Sequence, residues 1–185
     1  MNSEKENMIS GKLYRAFDEE LSNERQYAKE LIFEFNSFCP NESGKLTEVL
    51  KKLLGKTKST FIIESPFRCD CGYNIEIGEN FYSNYNLMIL DCAKVIIGDN
   101  VLIGPNVSIY TAGHPLHYEI RKLEYEYAFP ISIGNNFWIG GNVVINPDIK
   151  IGDNSVIGSG SVITKDVPSN TIAAGNPCKV LRELK

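Results

Sequence analysis

Much of the chain repeats a six-residue pattern of hydrophobic and polar positions. Aliphatic residues return at every sixth position from Ile133 to Ile163, and a second inward-facing candidate follows each of them four residues later, from Phe137 to Val167. Earlier copies of the same phrase begin at Ile77, Ile97 and Ile103. This period fits neither a helix, which repeats about every 3.6 residues, nor ordinary strand alternation. It predicts a chain that turns a corner every six residues, so that stacked triangular coils form a prism with short parallel strands on three faces.

The corner positions and the face positions of each repeat differ in composition. Glycine, asparagine and aspartate follow the aliphatic residue in most repeats, as in IGDN at residues 97–100 and IGNN at residues 133–136. These residues tolerate tight turns and positive φ, whereas β-branched residues fit the flat faces. We therefore predict a mainly β fold in which most glycines and isoleucines of the repeat are scaffold.

Residues 1–60 carry helical instead of hexapeptide spacing. Three amphipathic stretches are predicted as helices, from Leu13 to Leu21, from Asn23 to Phe38 ahead of Pro40, and from Ser43 to Gly55. We expect these helices to cover the open end of the prism and to protect its strand edges. Whether one of them also lines a pocket for an acceptor molecule is left open.

The hexapeptide rhythm breaks between residues 110 and 130. This segment holds both histidines of the chain, His114 and His117, together with several charged residues and tyrosines. A rigid solenoid that extrudes one long loop typically uses it for recognition or chemistry. The predicted organisation is a helical cap at 1–60, a β-helix at 61–172 with a protruding loop at 110–130, and a short basic tail at 173–185 that we expect to be helical.

Charge and cysteine content exclude several function classes. The net charge of −4 argues against nucleic acid or an anionic membrane as the main partner, so any phosphate would need a local cluster of cations. No stretch approaches the roughly 18 apolar residues of a membrane span, and no export signal is recognisable, which favours a cytoplasmic protein. The five scattered cysteines are expected to be free thiols, and the lone pair Cys69 and Cys71 lacks the second pair of a metal site.

Several motifs outside the plain repeat resemble the maltose/galactoside O-acetyltransferases, a nodulation-protein-like branch of the hexapeptide acyltransferases. The resemblance runs from the first cap segment nearly to the last residue and is closest to the maltose-type enzymes. It rests on GKLYRAFDEELSNER (11–25), FRCDCGYNI (67–75), FYSNYN (81–86), YTAGHP (110–115), IGNNFWIGGNVVINP (133–147), VITKDVP (162–168) and AAGNPCKV (173–180). It implies a left-handed β-helix, direct transfer of acetyl from acetyl-CoA to a hydroxyl, and a homotrimer with active sites between adjacent prisms.

The resemblance also assigns catalytic positions. His114 aligns with the family's catalytic histidine, and a histidine with an ordinary pKa of about 6.5 is suited to accept the proton of a hydroxyl nucleophile. The backbone amide of Gly141, beside Trp138, is the implied oxyanion donor. Glu126 either orients His114 or binds the acceptor, and His117 is the competing base, although it does not lie at the family's catalytic position.

On the acceptor side, Asp70 and Asn84 align with family positions that contact the sugar and the reacting hydroxyl. Trp138 and Asp91 are further candidates for acceptor contacts. Two carboxylates of the galactoside-type enzymes are replaced here by Ala16 and Cys92, which favours glucose-like or maltose-like acceptors. The positions implied to bind CoA are Gly141, Ser159, Thr164, Lys165, Lys179 and Arg182. The last three of these supply the positive charges that the phosphates of CoA require.

Three other functions are open to a chain of this kind. An antibiotic O-acetyltransferase would use the same histidine and CoA groove, although the long helical cap fits the sugar enzymes better. A scaffold or binding protein would not need His114, Trp138, Gly141 and Lys165 together. A zinc lyase on the same prism needs about three histidines around its metal, and this chain has two. We therefore expect no metal.

Overall fold

The computed structural model of the protein describes residues 2–185. It contains four helices, α1 (Glu4–Ile9), α2 (Glu19–Ser37), α3 (Ser43–Leu53) and α4 (Tyr118–Arg121). The first ten strands are β1 (Tyr14–Arg15), β2 (Lys56–Thr57), β3 (Phe61–Ile63), β4 (Phe67–Cys69), β5 (Ile75–Ile77), β6 (Phe81–Ser83), β7 (Leu87–Leu90), β8 (Val95–Ile97), β9 (Leu102–Ile103) and β10 (Ser108–Tyr110). The later strands are β11 (Ala112–Gly113), β12 (Tyr125–Ala128), β13 (Ile131–Ile133), β14 (Trp138–Ile139), β15 (Val144–Ile145), β16 (Lys150–Ile151), β17 (Val156–Ile157), β18 (Val162–Ile163), β19 (Thr171–Ala174) and β20 (Lys179–Glu183).

Three parallel sheets form the sides of a prism. The first has the order β16-β13-β8-β5-β2, the second β20-β19-β17-β14-β9-β6-β3 and the third β18-β15-β10-β7-β4. Each strand pairs in parallel with the strand of the coil above or below it, and only the last strand of the second sheet, β20, runs antiparallel. The predicted β-helix of stacked hexapeptide coils is confirmed.

The interior of the prism is the aliphatic ladder that the six-residue period predicts. Every sixth residue from Ile133 to Ile163 is at most 3% exposed, and the second ladder from Phe137 to Val167 is at most 5% exposed. Ser155 and Ser161 are buried members of the second ladder, and their hydroxyls donate to the backbone carbonyls of Pro168 and Gly158. Both predicted ladders are thus confirmed, and their polar members are satisfied by hydrogen bonds.

At the corners, asparagine residues adopt the positive φ that the turn needs, and glycine residues allow neighbouring coils to approach closely. Asn100, Asn136 and Asn154 adopt positive φ of 53° to 56°, and their side-chain amides form a ladder with rungs of 3.0 Å. A β-carbon added at Gly98 would lie 2.6 Å from Asn135 Oδ1 of the next coil and 2.8 Å from the backbone of Gly134. Glycine is therefore needed where coils approach closely, and asparagine where the chain adopts the left-handed conformation.

Helices α2 and α3 cover the first coil. Leu31 and Phe35 of α2 and Leu50 of α3 belong to the same buried cluster as the interior ladder of the prism. The helix predicted from Leu13 to Leu21 is wrong, because the Asp18 carboxylate accepts the Glu20 and Leu21 amide hydrogens and so begins α2 only after residue 18. The preceding residues instead form β1 and a turn in which Leu13 and Phe17 are exposed.

The C-terminal tail is a strand, so the predicted helix is wrong there as well. β20 pairs antiparallel with β19, the last parallel strand of the second sheet. The pairing gives hydrogen-bond partners to an edge that would otherwise be open.

The protruding loop is tied to the cap through a small sheet. β12 pairs antiparallel with β11 on one side and with β1 of the cap on the other, and α4 lies at the loop's outer end. A second buried cluster lies beneath this sheet and contains Met8, Tyr14, Ala16, Leu21, Cys92, Ala93 and Ala128. The five cysteines are all free thiols, as predicted. Within residues 2–185, no helix combines the length and the hydropathy that a membrane crossing demands.

Candidate active site

The three-stranded sheet brings His114 and Glu126 together. His114 follows β11 and is 59% exposed, whereas Glu126 lies on β12 with its side chain 21% exposed. Glu126 Oε1 is 3.8 Å from His114 Nε2, and Glu126 Oε2 accepts a hydrogen bond of 2.8 Å from the Tyr14 hydroxyl. The histidine is therefore accessible to a substrate while its carboxylate neighbour is anchored. His117 is exposed, stacks on Tyr118, and precedes α4.

Asp70 lies next to the second buried cluster. Burial raises the pKa of the Asp70 carboxyl, the Cys92 thiol beside it opposes that rise, and the positive charges of Arg25 and Lys29 oppose it further. The Cys92 thiol donates to Asp70 Oδ2 at 3.5 Å. A groove of about 560 Å³ reaches Asp70 between α2 and strands β4 and β7, with Lys29 and Phe33 on its helical side. Asp70 is thus available to a molecule in a groove that a cap helix lines.

Asp91 is not available to a substrate, which corrects the expectation that it contacts the acceptor. Its side chain is fully buried, and its Oδ1 accepts the backbone amide hydrogens of Asp70 at 3.1 Å and Cys71 at 2.8 Å. Its Oδ2 accepts the Asn74 amide hydrogen at 3.3 Å. The carboxylate holds the backbone of the turn that carries Asp70, so its contribution to the site is structural.

Asn84 and Gly141 lie at corners of other coils. Asn84 Oδ1 accepts the Tyr85 amide hydrogen at 2.8 Å, which leaves the Nδ2 group as the part of the side chain that can be offered to a substrate. Asn84 and Gly141 make no hydrogen bond to His114 within the part of the chain that the structure describes. A single chain thus joins His114, Glu126 and Tyr14 to Asp70 through Cys92, which neighbours both Tyr14 and Asp70. Within residues 2–185, Asn84 and Gly141 make no hydrogen bond to any of these side chains.

The Gly141 amide differs from the backbone amides around it. The Gly140 and Asn142 amides donate to Ile157 O at 2.8 Å and to Pro105 O at 2.9 Å. No acceptor among residues 2–185 takes the Gly141 N–H, although Gly141 O accepts the Gly160 amide hydrogen. Beside it, Trp138 is 55% exposed on the outer side of β14. A half-buried N–H without an intrachain acceptor has the properties that an oxyanion donor requires.

The residues implied to bind CoA lie at the C-terminal end of the prism. Ser159, Thr164 and Lys165 are exposed at the corners that follow β17 and β18. A β-bulge in the β19–β20 pair places Lys179 opposite Ala174 and Arg182 opposite Ile172. These partners are two positions apart on one strand, so the two cations share a face although three positions separate them in sequence.

Tyr14 is the site residue that sequence reasoning missed. It lies 112 positions from Glu126, in a segment read as part of a helix, and no periodic signal marks it. Among residues 2–185, no group of three or more histidine, cysteine, aspartate or glutamate side chains is placed to hold a metal ion.

Comparison with known proteins identifies the family. The maltose acetyltransferase hexapeptide capping motif matches residues 7–58, the bacterial transferase hexapeptide model with six repeats matches residues 130–165, and the hexapeptide repeat of succinyl-transferase matches residues 94–114. The galactoside O-acetyltransferase of Escherichia coli K12 is 49% identical over 179 residues, which cover 97% of this chain and 88% of that protein.

Solved structures agree with these matches. A maltose O-acetyltransferase from Clostridium difficile 630 superposes with a TM-score of 0.98 at 50% identity, covering 100% of this chain and 98% of that one. A hexapeptide-repeat acetyltransferase from Vibrio cholerae, solved in complex with acetyl coenzyme A, superposes with a TM-score of 0.92 at 37% identity, covering 100% of both chains. Capping motif, repeats and near full-length identity together confirm the resemblance, and the chain belongs to the maltose/galactoside O-acetyltransferase family of hexapeptide-repeat acyltransferases.

Proposed function

We propose that this protein transfers acetyl from acetyl-CoA to a hydroxyl of a glucose-like or maltose-like sugar, with His114 as the general base. The observation that carries the proposal is the exposed His114 imidazole 3.8 Å from an anchored Glu126 carboxylate, in a member of this family. The related proteins from E. coli and C. difficile are named galactoside and maltose O-acetyltransferases, and the V. cholerae relative binds acetyl coenzyme A.

The proposed reaction is a direct transfer. One nitrogen of His114 accepts the proton of the sugar hydroxyl while the hydroxyl oxygen attacks the carbonyl carbon of the thioester. The negative charge that develops on the carbonyl oxygen is stabilised by the Gly141 N–H, which has no competing intrachain acceptor. When the carbon–sulfur bond breaks, the departing CoA sulfur takes the proton from the imidazolium, so that the products are the acetyl ester and CoA thiol.

CoA is proposed to bind at the C-terminal end of the prism. Lys179 and Arg182 share one face because of the bulge, and exposed Lys165 supplies a third cation there. Within residues 2–185 none of these three side chains forms a salt bridge, so their charge is available to phosphate groups. Such a concentration is needed in a chain whose net charge is −4. Ser159, Thr164 and the Gly141 backbone complete the proposed contacts.

The acceptor is proposed to bind between Asp70, Asn84 and Trp138. The Asp70 carboxylate and the Asn84 Nδ2 group suit the paired donors and acceptors of vicinal hydroxyls, and an exposed indole suits the apolar face of a sugar ring. The groove between α2 and β4 supports the view that a cap helix also lines this pocket. Glu126 is assigned to His114 rather than to the acceptor, because Tyr14 anchors Oε2 and Oε1 faces the His114 ring at 3.8 Å.

A homotrimer with shared active sites is proposed because two outer faces of the prism differ in polarity. The outward ladder of the first sheet is largely polar, whereas that of the second sheet is largely apolar from β3 to β19. The first comprises Lys56, Glu76, Ile96, Ser132 and Lys150, and the second Ile62, Tyr82, Leu102, Trp138, Val156 and Ile172. A contiguous exposed apolar face is typical of an interface. Its inclusion of Trp138 supports a site at that interface.

Thiol release from acetyl-CoA tests the proposal directly. Purified protein is assayed against glucose, maltose, a galactoside and chloramphenicol, in parallel with His114→Ala and His117→Ala. We expect release that requires a sugar and falls by about 10²–10⁴-fold in His114→Ala, the range for removal of a general base, while His117→Ala stays near the wild-type rate. If only chloramphenicol supports thiol release, the acceptor is an antibiotic and not a sugar. A wild-type rate in His114→Ala would exclude this histidine as the base.

A further inference from the structure

The buried tyrosine of the cap and the exposed histidine of the loop share one carboxylate. Tyr14 has no solvent-exposed surface, and its hydroxyl donates to Glu126 Oε2 at 2.8 Å. The other oxygen, Oε1, lies 3.8 Å from His114 Nε2. A catalytic hydrogen bond that is long in the free enzyme typically shortens when substrate binds. The cap therefore contributes a side chain one carboxylate away from the reacting group.

The backbone fixes this arrangement. β1 and β12 pair with Tyr14 directly opposite Glu126, which places the two side chains on the same face of the sheet. The neighbouring pair of β11 and β12 holds Gly113, the residue before His114, opposite Tyr127. The side chains of Tyr14, Glu126 and His114 are thus positioned by one small sheet. A shift of its register by one residue would turn the Tyr14 side chain to the other face of the sheet.

The chemistry of Tyr14 makes it a permanent donor. Burial raises the pKa of the Tyr14 hydroxyl far above its ordinary value, and the neighbouring Cys92 thiol and Glu126 carboxylate raise it further. The hydroxyl therefore keeps its proton throughout the working pH range. Because Tyr14 occupies Oε2, the oxygen that remains for the imidazole N–H is Oε1.

We propose that Tyr14 is a positioning residue that acts through Glu126 to hold the His114 ring. Glu126 then accepts the N–H of the facing nitrogen, and the opposite ring nitrogen is kept unprotonated for the acceptor hydroxyl. The inference rests on the proposed function, because it assumes that His114 is the base. It makes the N-terminal cap a component of the catalytic machinery in addition to a cover for the first coil.

Removing one oxygen atom tests this role. Tyr14→Phe keeps the ring in the buried cluster and loses only the hydroxyl. Tyr73→Phe is the matched control, since the Tyr73 hydroxyl donates to Glu24 Oε2 at the same 2.8 Å and also links a β-helix turn to the cap, but has no contact with Glu126. We expect Tyr14→Phe to lower kcat by about 10–100-fold, the effect of a misplaced catalytic group, with the KM for acetyl-CoA unchanged. Tyr73→Phe is expected to keep both constants within about twofold of the wild type.

A double variant distinguishes positioning from general destabilisation. If Tyr14 acts through Glu126, then Tyr14→Phe combined with Glu126→Gln has the kcat of Glu126→Gln alone, within about twofold. Thermal midpoints measured on the same samples show how far each variant remains folded.

The outcomes are separable. A wild-type kcat in Tyr14→Phe, or losses that multiply in the double variant, would overturn the positioning role. His114→Ala, assayed alongside, distinguishes the two failures. If it is inactive while Tyr14→Phe is fully active, only the positioning role fails, and if it retains the wild-type rate, the proposed base and the positioning role fail together.

Discussion

Replacement of Asp91 by asparagine should change how the stability of the protein depends on pH. Desolvation by burial raises the pKa of the Asp91 carboxyl from 3.8 to about 6, with the negative charge of Asp70 adding to the rise and the backbone amides of Cys71 and Asn74 opposing it. Asparagine keeps an oxygen that can accept the Asp70 and Cys71 amide hydrogens but carries no charge. It also replaces Oδ2, which accepts the Asn74 amide hydrogen, by an NH2 group. That loss is the same at every pH, so the change of the stability difference with pH reports the ionisation of Asp91.

The sign and size of the effect follow from the two pKa values. Because the folded-state pKa is the higher one, the folded protein binds the proton more tightly, and that stability is lost as pH rises through about 6. A difference of about two units corresponds to about 3 kcal/mol in total. About 2 kcal/mol of this lies between about pH 4.5 and about pH 7.5, since the unfolded carboxyl is already mostly ionised at the lower value.

Urea unfolding at these two pH values, at one protein concentration, measures the effect. The free energy of unfolding of the wild type minus that of Asp91→Asn should fall by about 2 kcal/mol from the lower pH to the higher. Asp153→Asn is the control, because the exposed Asp153 carboxylate accepts the Asn135 amide hydrogen at 2.6 Å without being buried. A difference that stays constant, or that grows with pH, would refute the reasoning by showing that amide donors outweigh desolvation at Asp91.

Two further predictions concern the interface and the corners. Leu102→Arg, on the apolar face, should lower the solution mass measured by light scattering and abolish thiol release, whereas Ile96→Arg, at a similarly exposed position of the polar face, should change neither. Asn136→Ala should lower the free energy of unfolding in urea by about 2–3 kcal/mol, because it removes two amide rungs and puts alanine at a φ of 53°. Asn136→Gly should recover the backbone part of that loss, and equal losses in both variants would contradict the assignment.

The sequence predicts the prism well because each inward side chain is buried by the coils directly above and below it. Ile139 and Phe137 are therefore placed correctly by period alone. The two wrong helices have a different cause. The segment around Leu13 has helical spacing, but its backbone pairs with β12 of the loop as strand β1. The tail has helix-forming residues, but it pairs with β19, the open edge strand of the second sheet. Tertiary hydrogen bonding overrides local preference in both places.

The sequence named most candidate site residues but not the contacts that hold them. His114 and Gly141 are proposed from motifs, which report residue types at fixed local spacing. The buried contacts were not found, because Asp91 reads as a candidate for sugar binding until its carboxylate is seen to accept three backbone amides. Tyr14 and Glu126 meet only because two distant strands pair, and no local pattern encodes that pairing.

The asparagine ladder has a consequence for how this scaffold can change. Most of its rungs join residues 16 to 20 positions apart, but the rung from Asn100 to Asn136 spans 36 positions, because the loop is inserted between them, and its length is the same 3.0 Å. Loop-closure entropy rises slowly, by about 0.6 kcal/mol for each doubling of length. The corner therefore tolerates loops of different length and sequence around His114 while the stacked coils stay in register.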